Sequence, residues 1–325
     1  MRWGVLGAGS VARRRVMPAM RGLDGHEIVA LMVRDQDRAD ALAREHGATR
    51  AYSQVDALLG DSSVDGIYVS SPVSLHRVHV EAAARAGKHV LCEKPMALSS
   101  EDCAEMMEIC RAAGITLGVC FVLRGWAIYQ RIRDQIAKGE LGEIVELRAH
   151  LAKWTPREND EWRLDPAQSG GGTLVDVATH YLDLFRFLVG EIDRIAYMGS
   201  SRVFGWPVEE TAHTMVSFAC GTHGTLTATC AVPNGGNVLE IYGTEGSVFL
   251  GKTLRTVKGD DEKEEEVVYP DYFSGLLKDY AIAVEEGREP IASGRDGLIG
   301  MKTVEAAYRS GKSGTIESIE YQGMT

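Results

Sequence analysis

Three side chains in this sequence are of types that could together move a proton and polarise an oxygen. One is Lys94, in the run HVLCEKPMAL; the other two, Asp176 and His180, stand four residues apart in GGGTLVDVATHYLDLF. Histidine is the side chain whose unperturbed pKa lets it accept and return a proton near neutrality. Residues four apart share one face of a helix, so Asp176 can serve as the partner of His180 or as a substrate clamp. An ammonium such as Lys94 stabilises negative charge developing on an oxygen. Each also has a purely structural explanation: Lys94 as the ion-pair partner of Glu93, His180 as a capped or core histidine. A metal pair is disfavoured, because no third ligand is evident.

The elements that must position these groups follow from the pattern around them. Up to about residue 122 the apolar runs WGVL, EIVALMV, GIYVS, HVLC and TLGV alternate with amphipathic stretches such as QDRADALAREHG and SLHRVHVEAAARAGK. That alternation predicts a doubly wound, Rossmann-type parallel sheet covered by helices, with ligands outside the carboxyl ends of the strands. Lys94 falls just past such an end, and Pro95 sets the direction in which the chain leaves.

The run VLGAGSVA places Gly7, Gly9 and Ala12 in G-x-G-x-x-A spacing after the first strand, with Ser10 and Val11 in the same loop. The first glycine permits the tight turn and the second lets a pyrophosphate approach the backbone. Ala12 lets helix and strand pack closely, and the helix N-terminus holds the phosphate charge. A dinucleotide is the expected ligand. An NAD site usually ends its second strand with an acid for the ribose diol. Here the strand ends LMVRDQDR, with Arg34 at the tip and Arg38 a helical turn on. Two guanidinium groups suit a 2′-phosphate, so NADP(H) is favoured and NAD(H) is possible. The alternative is that both are surface charges, one paired with Asp35 or Asp37.

After VCFVLRG the texture changes. Residues 127–137 read as a helix, EIVELRAHL as a strand, Lys153 to Ser169 as a polar loop and GGGTLVDVATHYLDLFRFLVG as a helix. TAHTMVSFACGTHGTLTATCAV alternates about a Cys220–Gly221 turn, as antiparallel strands do, and more short strands reach Tyr269. The acidic GDDEKEEE reads as an exposed loop between strands. Two domains are expected: a dinucleotide-binding domain over 1–122, and over 123–325 an α+β domain with a mostly antiparallel sheet, for substrate and oligomerisation. Helices on one side of that sheet leave its other face for a partner copy, so a homodimer or homotetramer is expected.

The 325 residues suffice for two cores, and 45% hydrophobic with 25% charged residues is ordinary for a soluble globular protein. A net charge of −11 argues against nucleic acid or an anionic membrane as partner. No signal peptide is evident and no apolar run approaches ~18 residues, so a cytoplasmic protein is expected. The six cysteines lack C-x-x-C or zinc spacing and are expected as reduced, packed thiols, with no metal site.

The blocks GAGSVA, SPVSLHRVHVEAAARAGKHVLCEKPMAL, GGGTLVDVATHYLDLFRFLVG, IYGTEGSV and RDGLIGMKTVEAAYRSGKSG, which run through nearly the whole chain, resemble the signatures of the Gfo/Idh/MocA oxidoreductases. DEWRLDPAQSGGGTLVD and the Arg34/Arg38 pattern look most like its anhydrosugar-reductase branch. The resemblance implies hydride transfer between a nicotinamide and a sugar, anhydrosugar or polyol, with Lys94, Asp176 and His180 as the catalytic group. It implies that Ser71, Pro72 and His76 line the nicotinamide side of the cofactor and that Glu93 belongs to the same site. It also implies that Trp162 and Arg163 reach the cofactor from the second domain. One departure is that many relatives carry asparagine or histidine where this chain has Cys120 or Phe121. The same scaffold also serves NAD-dependent inositol or sugar dehydrogenases, glycosidases with tightly bound NAD, and dinucleotide-sensing proteins.

Overall fold

The computed structural model describes residues 1–157, 161–268 and 272–321. Residues 158–160 of the expected polar loop, and Tyr269 at the expected end of the strands, lie outside them. The chain forms two compact units, Met1–Trp126 with Pro270–Leu298, and Ala127–Tyr269 with Ile299–Thr325. A single break after residue 122 was expected; instead a late segment returns to the first unit.

That first unit is a six-stranded parallel sheet in the order β3-β2-β1-β4-β5-β6. Its strands are β1 (Arg2–Leu6), β2 (Glu27–Met32), β3 (Arg50–Tyr52), β4 (Gly66–Val69), β5 (His89–Cys92) and β6 (Leu117–Val119). Five of them coincide with apolar runs. The sixth, β3, has three residues, none of them buried, at the sheet edge, so it leaves no apolar signal.

The returning segment belongs to the core of this unit. The helix Ser274–Glu286 buries Leu276, Leu277, Tyr280 and Ala283 at three- and four-residue spacing. Tyr280 lies 5.7 Å from the Trp3 ring, and its hydroxyl donates to the Thr116 carbonyl at 3.1 Å. A Cβ on Gly118 would sit 2.7 Å from the Tyr280 ring, which explains a glycine inside β6. Arg124 and Asp296 meet at 2.9 Å with side chains 9% and 13% exposed. Arg124 also donates to the Ile291 carbonyl, and Asp296 accepts from Ser293 N–H.

The second unit is a nine-stranded sheet. It adds β7 (Ile144–Ala152), β8 (Ile192–Ser200), β9 (Thr211–Phe218), β10 (His223–Thr229), β11 (Asn237–Gly243), β12 (Ser247–Leu250), β13 (Thr253–Lys258), β14 (Asp261–Glu266) and β15 (Glu317–Ser318). The order is β14-β13-β12-β11-β7-β10-β9-β8-β15, antiparallel at every pairing except β7 with β10. The acidic run expected as a loop is strand β14. Its carboxylates face a basic partner strand, Glu262 lying 3.4 Å from Arg255, and Glu264 accepts from Thr253 Oγ1 at 2.6 Å. A fully charged strand also suits a sheet edge, because it discourages further pairing. The segment 174–189 is helical as expected, but opens with a π-helical turn, Leu174–Ala178, before the α-helix Thr179–Val189.

Removing one member of a buried ion pair strands the other charge. Arg124→Met should therefore destabilise the protein by about 3 kcal/mol or more, read as a fall in calorimetric melting temperature. An unchanged melting temperature would show that the pair contributes nothing to holding the late segment.

Candidate active site

All six strands of the first unit run parallel, so their carboxyl ends share one edge. The order reverses between β1 and β4, and the crevice at such a reversal is where open α/β sheets bind ligands. Gly7 follows β1 with φ +88°, and a Cβ there would lie 2.9 Å from the Ser70 carbonyl oxygen, so both conformation and space require glycine. A Cβ on Gly9 would meet nothing within 4 Å, which leaves room over that backbone for a pyrophosphate. Ser10 and Val11 are exposed and Ala12 is fully buried, opening the helical stretch Ala12–Val16 that continues as Met17–Arg21. Residues here fit a dinucleotide.

At the end of β2, Arg34 and Arg38 are both exposed, and among the described residues neither is in an ion pair. Asp35 caps the helix Gln36–His46 by accepting from Arg38 N–H at 2.8 Å. Its pairing with a guanidinium, the alternative entertained above, is not what the structure shows.

Glu93 and Lys94 follow β5 on the same edge. The Glu93 carboxylate accepts from Tyr68 Oη at 2.6 Å and from Lys94 N–H at 3.2 Å. Burial pushes its pKa upward, while Tyr68, the Lys94 charge and the Cys120 thiol pull it back. Glu93 thus sits in a polar cluster beneath the loop. Cys120 and Phe121 are 0% and 3% exposed, so the departure from related sequences lies in the core of this unit.

Ser71 and Pro72 lie beyond β4, next to the strand reversal. His76 is only 1% exposed, and its Nδ1 and Nε2 face the carbonyls of Pro95 and Ser71 at 3.0 and 2.9 Å. As a neutral ring it donates to one of these carbonyls only, and it packs between the two loops from within. His79 reaches the Ser71 hydroxyl at 2.9 Å. Burial lowers the His76 pKa to about 4.

In the second unit, Asp176 lies in the π-helical turn and His180 in the α-helix that continues it, both half-buried. Arg157 donates to Asp176 Oδ2 at 2.5 Å and lies 3.5 Å from Glu161. Its guanidinium is 6.0 Å from the Trp206 ring, which stacks on Phe204 at 4.4 Å. Arg163 lies 4.4 Å over the Trp162 ring and donates to Glu161 at 2.8 Å. Among the described residues no three His, Cys, Asp or Glu side chains stand close enough to hold a metal ion. None of the six cysteines is in a disulfide; Cys220 is exposed and the others are buried.

Sequence reasoning missed Arg157 and Tyr68. Arg157 lies in no motif, and Tyr68 reads as one more apolar member of a buried strand. Only the fold brings each to its charged partner.

Residues 1–121 match the oxidoreductase family with an NAD-binding Rossmann fold, and residues 129–249 match the GFO/IDH/MocA C-terminal domain. The chain is 33% identical to 1,5-anhydro-D-fructose reductase of Ensifer adhaerens, over 98% of each chain. It is 28% identical to an NADP(+) D-xylose 1-dehydrogenase of Haloferax volcanii, over 98% of this chain and 100% of that one. Among solved structures, aldose-aldose oxidoreductase from Caulobacter crescentus superposes with a TM-score of 0.90 at 29% identity, covering 98% of this chain and 99% of that one.

His76 is neutral when folded, and its imidazole takes up a proton on unfolding once the pH falls below its ordinary 6.5. Its contribution to stability is thus complete above pH 6.5 and is lost progressively down to about pH 4, a span worth about 3 kcal/mol. Urea unfolding at pH 7 and pH 5 should show a steeper loss for wild type than for His76→Gln. Equal losses would mean that the buried ring does not titrate on unfolding.

Proposed function

The chain belongs to the GFO/IDH/MocA oxidoreductases, and from that premise we propose that it passes a hydride between NADP(H) and a carbonyl or hydroxyl carbon of a sugar, anhydrosugar or polyol. The observation that carries this reading is the shared strand edge of the first unit. Gly7 and Gly9, the Ser71–Pro72 loop and Lys94 all follow strand ends on that edge.

In this reading Gly7, Gly9, Ser10, Val11 and Ala12 hold the pyrophosphate, and Arg34 and Arg38 the 2′-phosphate. Ser71 and Pro72 line the nicotinamide side, Glu93 supports the lysine from below, and His76 acts through the loops it braces. Trp162 and Arg163 reach the cofactor from the second unit. When bound, the nicotinamide supplies or accepts the hydride. Lys94, as the ammonium, polarises the substrate carbonyl or lowers the pKa of the alcohol. His180 gives or takes the proton on that oxygen. Asp176 orients the substrate or His180, and Arg157 fixes the carboxylate that does so. NADP(H) is preferred over NAD(H) because Asp35 is engaged in capping its helix, which leaves two exposed guanidinium groups at the end of β2. The curated relatives are named for an anhydroketose and an aldose, which supports a small sugar as substrate.

The subunit is proposed to pair with a second copy through the outer face of the nine-stranded sheet. That face carries Met198 and Met215, 75% and 65% exposed, on neighbouring strands. No helix among the described residues is long and apolar enough to cross a membrane, and the reading places the enzyme in the cytoplasm.

A screen of anhydroketoses, aldoses, inositols and ketosugars, following NADPH absorbance, tests the activity. No turnover on any of them with either cofactor would refute it. Arg34→Asp should raise the KM for NADPH at least tenfold more than that for NADH, since a charge-assisted contact is replaced by a repulsive one. Equal effects would remove the basis for NADP(H). Lys94→Ala and His180→Ala should each cut kcat about 100-fold or more at an unchanged melting temperature. The double variant should lose less than the product of the two, because both act on one oxygen. A normal rate in Lys94→Ala would end its catalytic role. Light scattering at micromolar concentration should report a particle larger than the 35.4 kDa chain.

A further inference from the structure

The glycine run ahead of Asp176 has a physical cause inside the second unit. A Cβ on Gly171 would lie 1.8 Å from Tyr308 Oη, and one on Gly172 would lie 2.0 Å from the Glu209 carbonyl oxygen. Two glycines are therefore required for residues 209 and 308 to approach the start of the helix. What approaches is a carboxylate. Glu209 Oε1 accepts from Leu174 N–H at 2.8 Å and Gly172 N–H at 3.1 Å, and Tyr308 donates to it at 3.1 Å. The Glu209 backbone carbonyl takes Thr173 N–H at 2.8 Å. A negative group at this position also meets the positive end of the helix that carries Asp176 and His180.

The next residue holds the loop that leads to Arg157, the partner of Asp176. Glu210 is 1% exposed, and its carboxylate accepts the backbone N–H groups of Val203 and, at 2.7 Å, Phe204. Phe204 stacks on Trp206, the ring beside Arg157, and Arg157 donates to Asp176. The Glu210 backbone carbonyl also accepts from Thr173 Oγ1 at 3.0 Å.

We infer that the Glu209–Glu210 dipeptide is the positioning element for Asp176. Glu209 sets the start of its helix, and Glu210 sets the loop whose aromatic pair seats Arg157. The inference rests on Asp176 belonging to the reacting group. It adds two positioning residues that touch neither substrate nor cofactor.

Side-chain chemistry makes the test specific. In Glu209→Gln the amide oxygen can still accept both N–H groups, and the NH2 can donate to the Tyr308 oxygen. In Glu210→Gln an NH2 must face a backbone N–H, donor against donor. Glu210→Gln and Glu209→Ala should each lower kcat at least tenfold, with the cofactor KM within twofold of wild type. Glu209→Gln should lose only a few-fold, a rescue that bulk or fold stability alone would not produce. Rates are compared below the melting temperature of each variant, so that only folded protein is read. Crystal structures of Glu210→Gln and Glu209→Ala should show the Arg157–Asp176 contact lengthened or lost. A wild-type kcat in both of these variants, or an Asp176 carboxylate still in place on Arg157 in both, overturns the inference. If the wild type turns over no sugar, the proposed activity fails, and the two crystal structures still decide whether the dipeptide positions Asp176.

Discussion

Strand β1 is hydrogen-bonded to a parallel neighbour on each side, β2 and β4, and the chemistry of the first unit depends on that arrangement. A strand so placed is covered on both faces, and four of its five residues are buried. The chain must then wind outward in both directions from β1, which opens a crevice at the carboxyl ends. Gly7 turns the chain there against the Ser70 carbonyl, and Lys94 emerges from β5, two strands over. The pattern also explains why the loops after β4 and β5 need an internal brace. They are neighbours on the edge without a ladder between them, and the buried His76 ring fills the space between them, donating to one of the two loop carbonyls it faces.

In the second unit the governing problem is how charged groups are withdrawn from water without being stranded. Asp176 has Arg157; Arg157 has Glu161 and an aromatic ring; Glu209 and Glu210 are held by backbone N–H groups. A buried charge is costly unless hydrogen-bonded, and a carboxylate collecting several N–H donors meets that condition with parts that do not titrate. The π-helical turn at Leu174–Ala178 lies where this network meets the helix. Such turns occur mostly as single interruptions of α-helices at functional sites, and here the turn carries Asp176 itself.

Local signals in the sequence were enough to identify the fold class and the family. The apolar alternation placed five of six strands, G-x-G-x-x-A placed the tight turn after β1, and the Cys220–Gly221 hairpin was legible from its turn. Where reading failed, the information was not local. The strand β3 is too short and exposed to leave a pattern, and β14 reads as a charged loop until the basic strand beside it is known. The late segment carrying Tyr280 and Asp296 gives no hint that its core partners are Trp3 and Arg124.

The sequence by itself determined which residues can do chemistry, because side-chain type and short spacing are written in it: Lys94 after a strand, Asp176 and His180 on one helical segment, two arginines after β2. Tertiary structure alone decided what holds those groups. Arg157, Glu209 and Tyr68 act through contacts with residues distant in the chain, and a hydrogen bond depends on distance and direction in space rather than on separation in sequence. It also decided that His76, a ligand-loop residue by its motif, is an internal brace, since burial is a property of the fold and not of the residue.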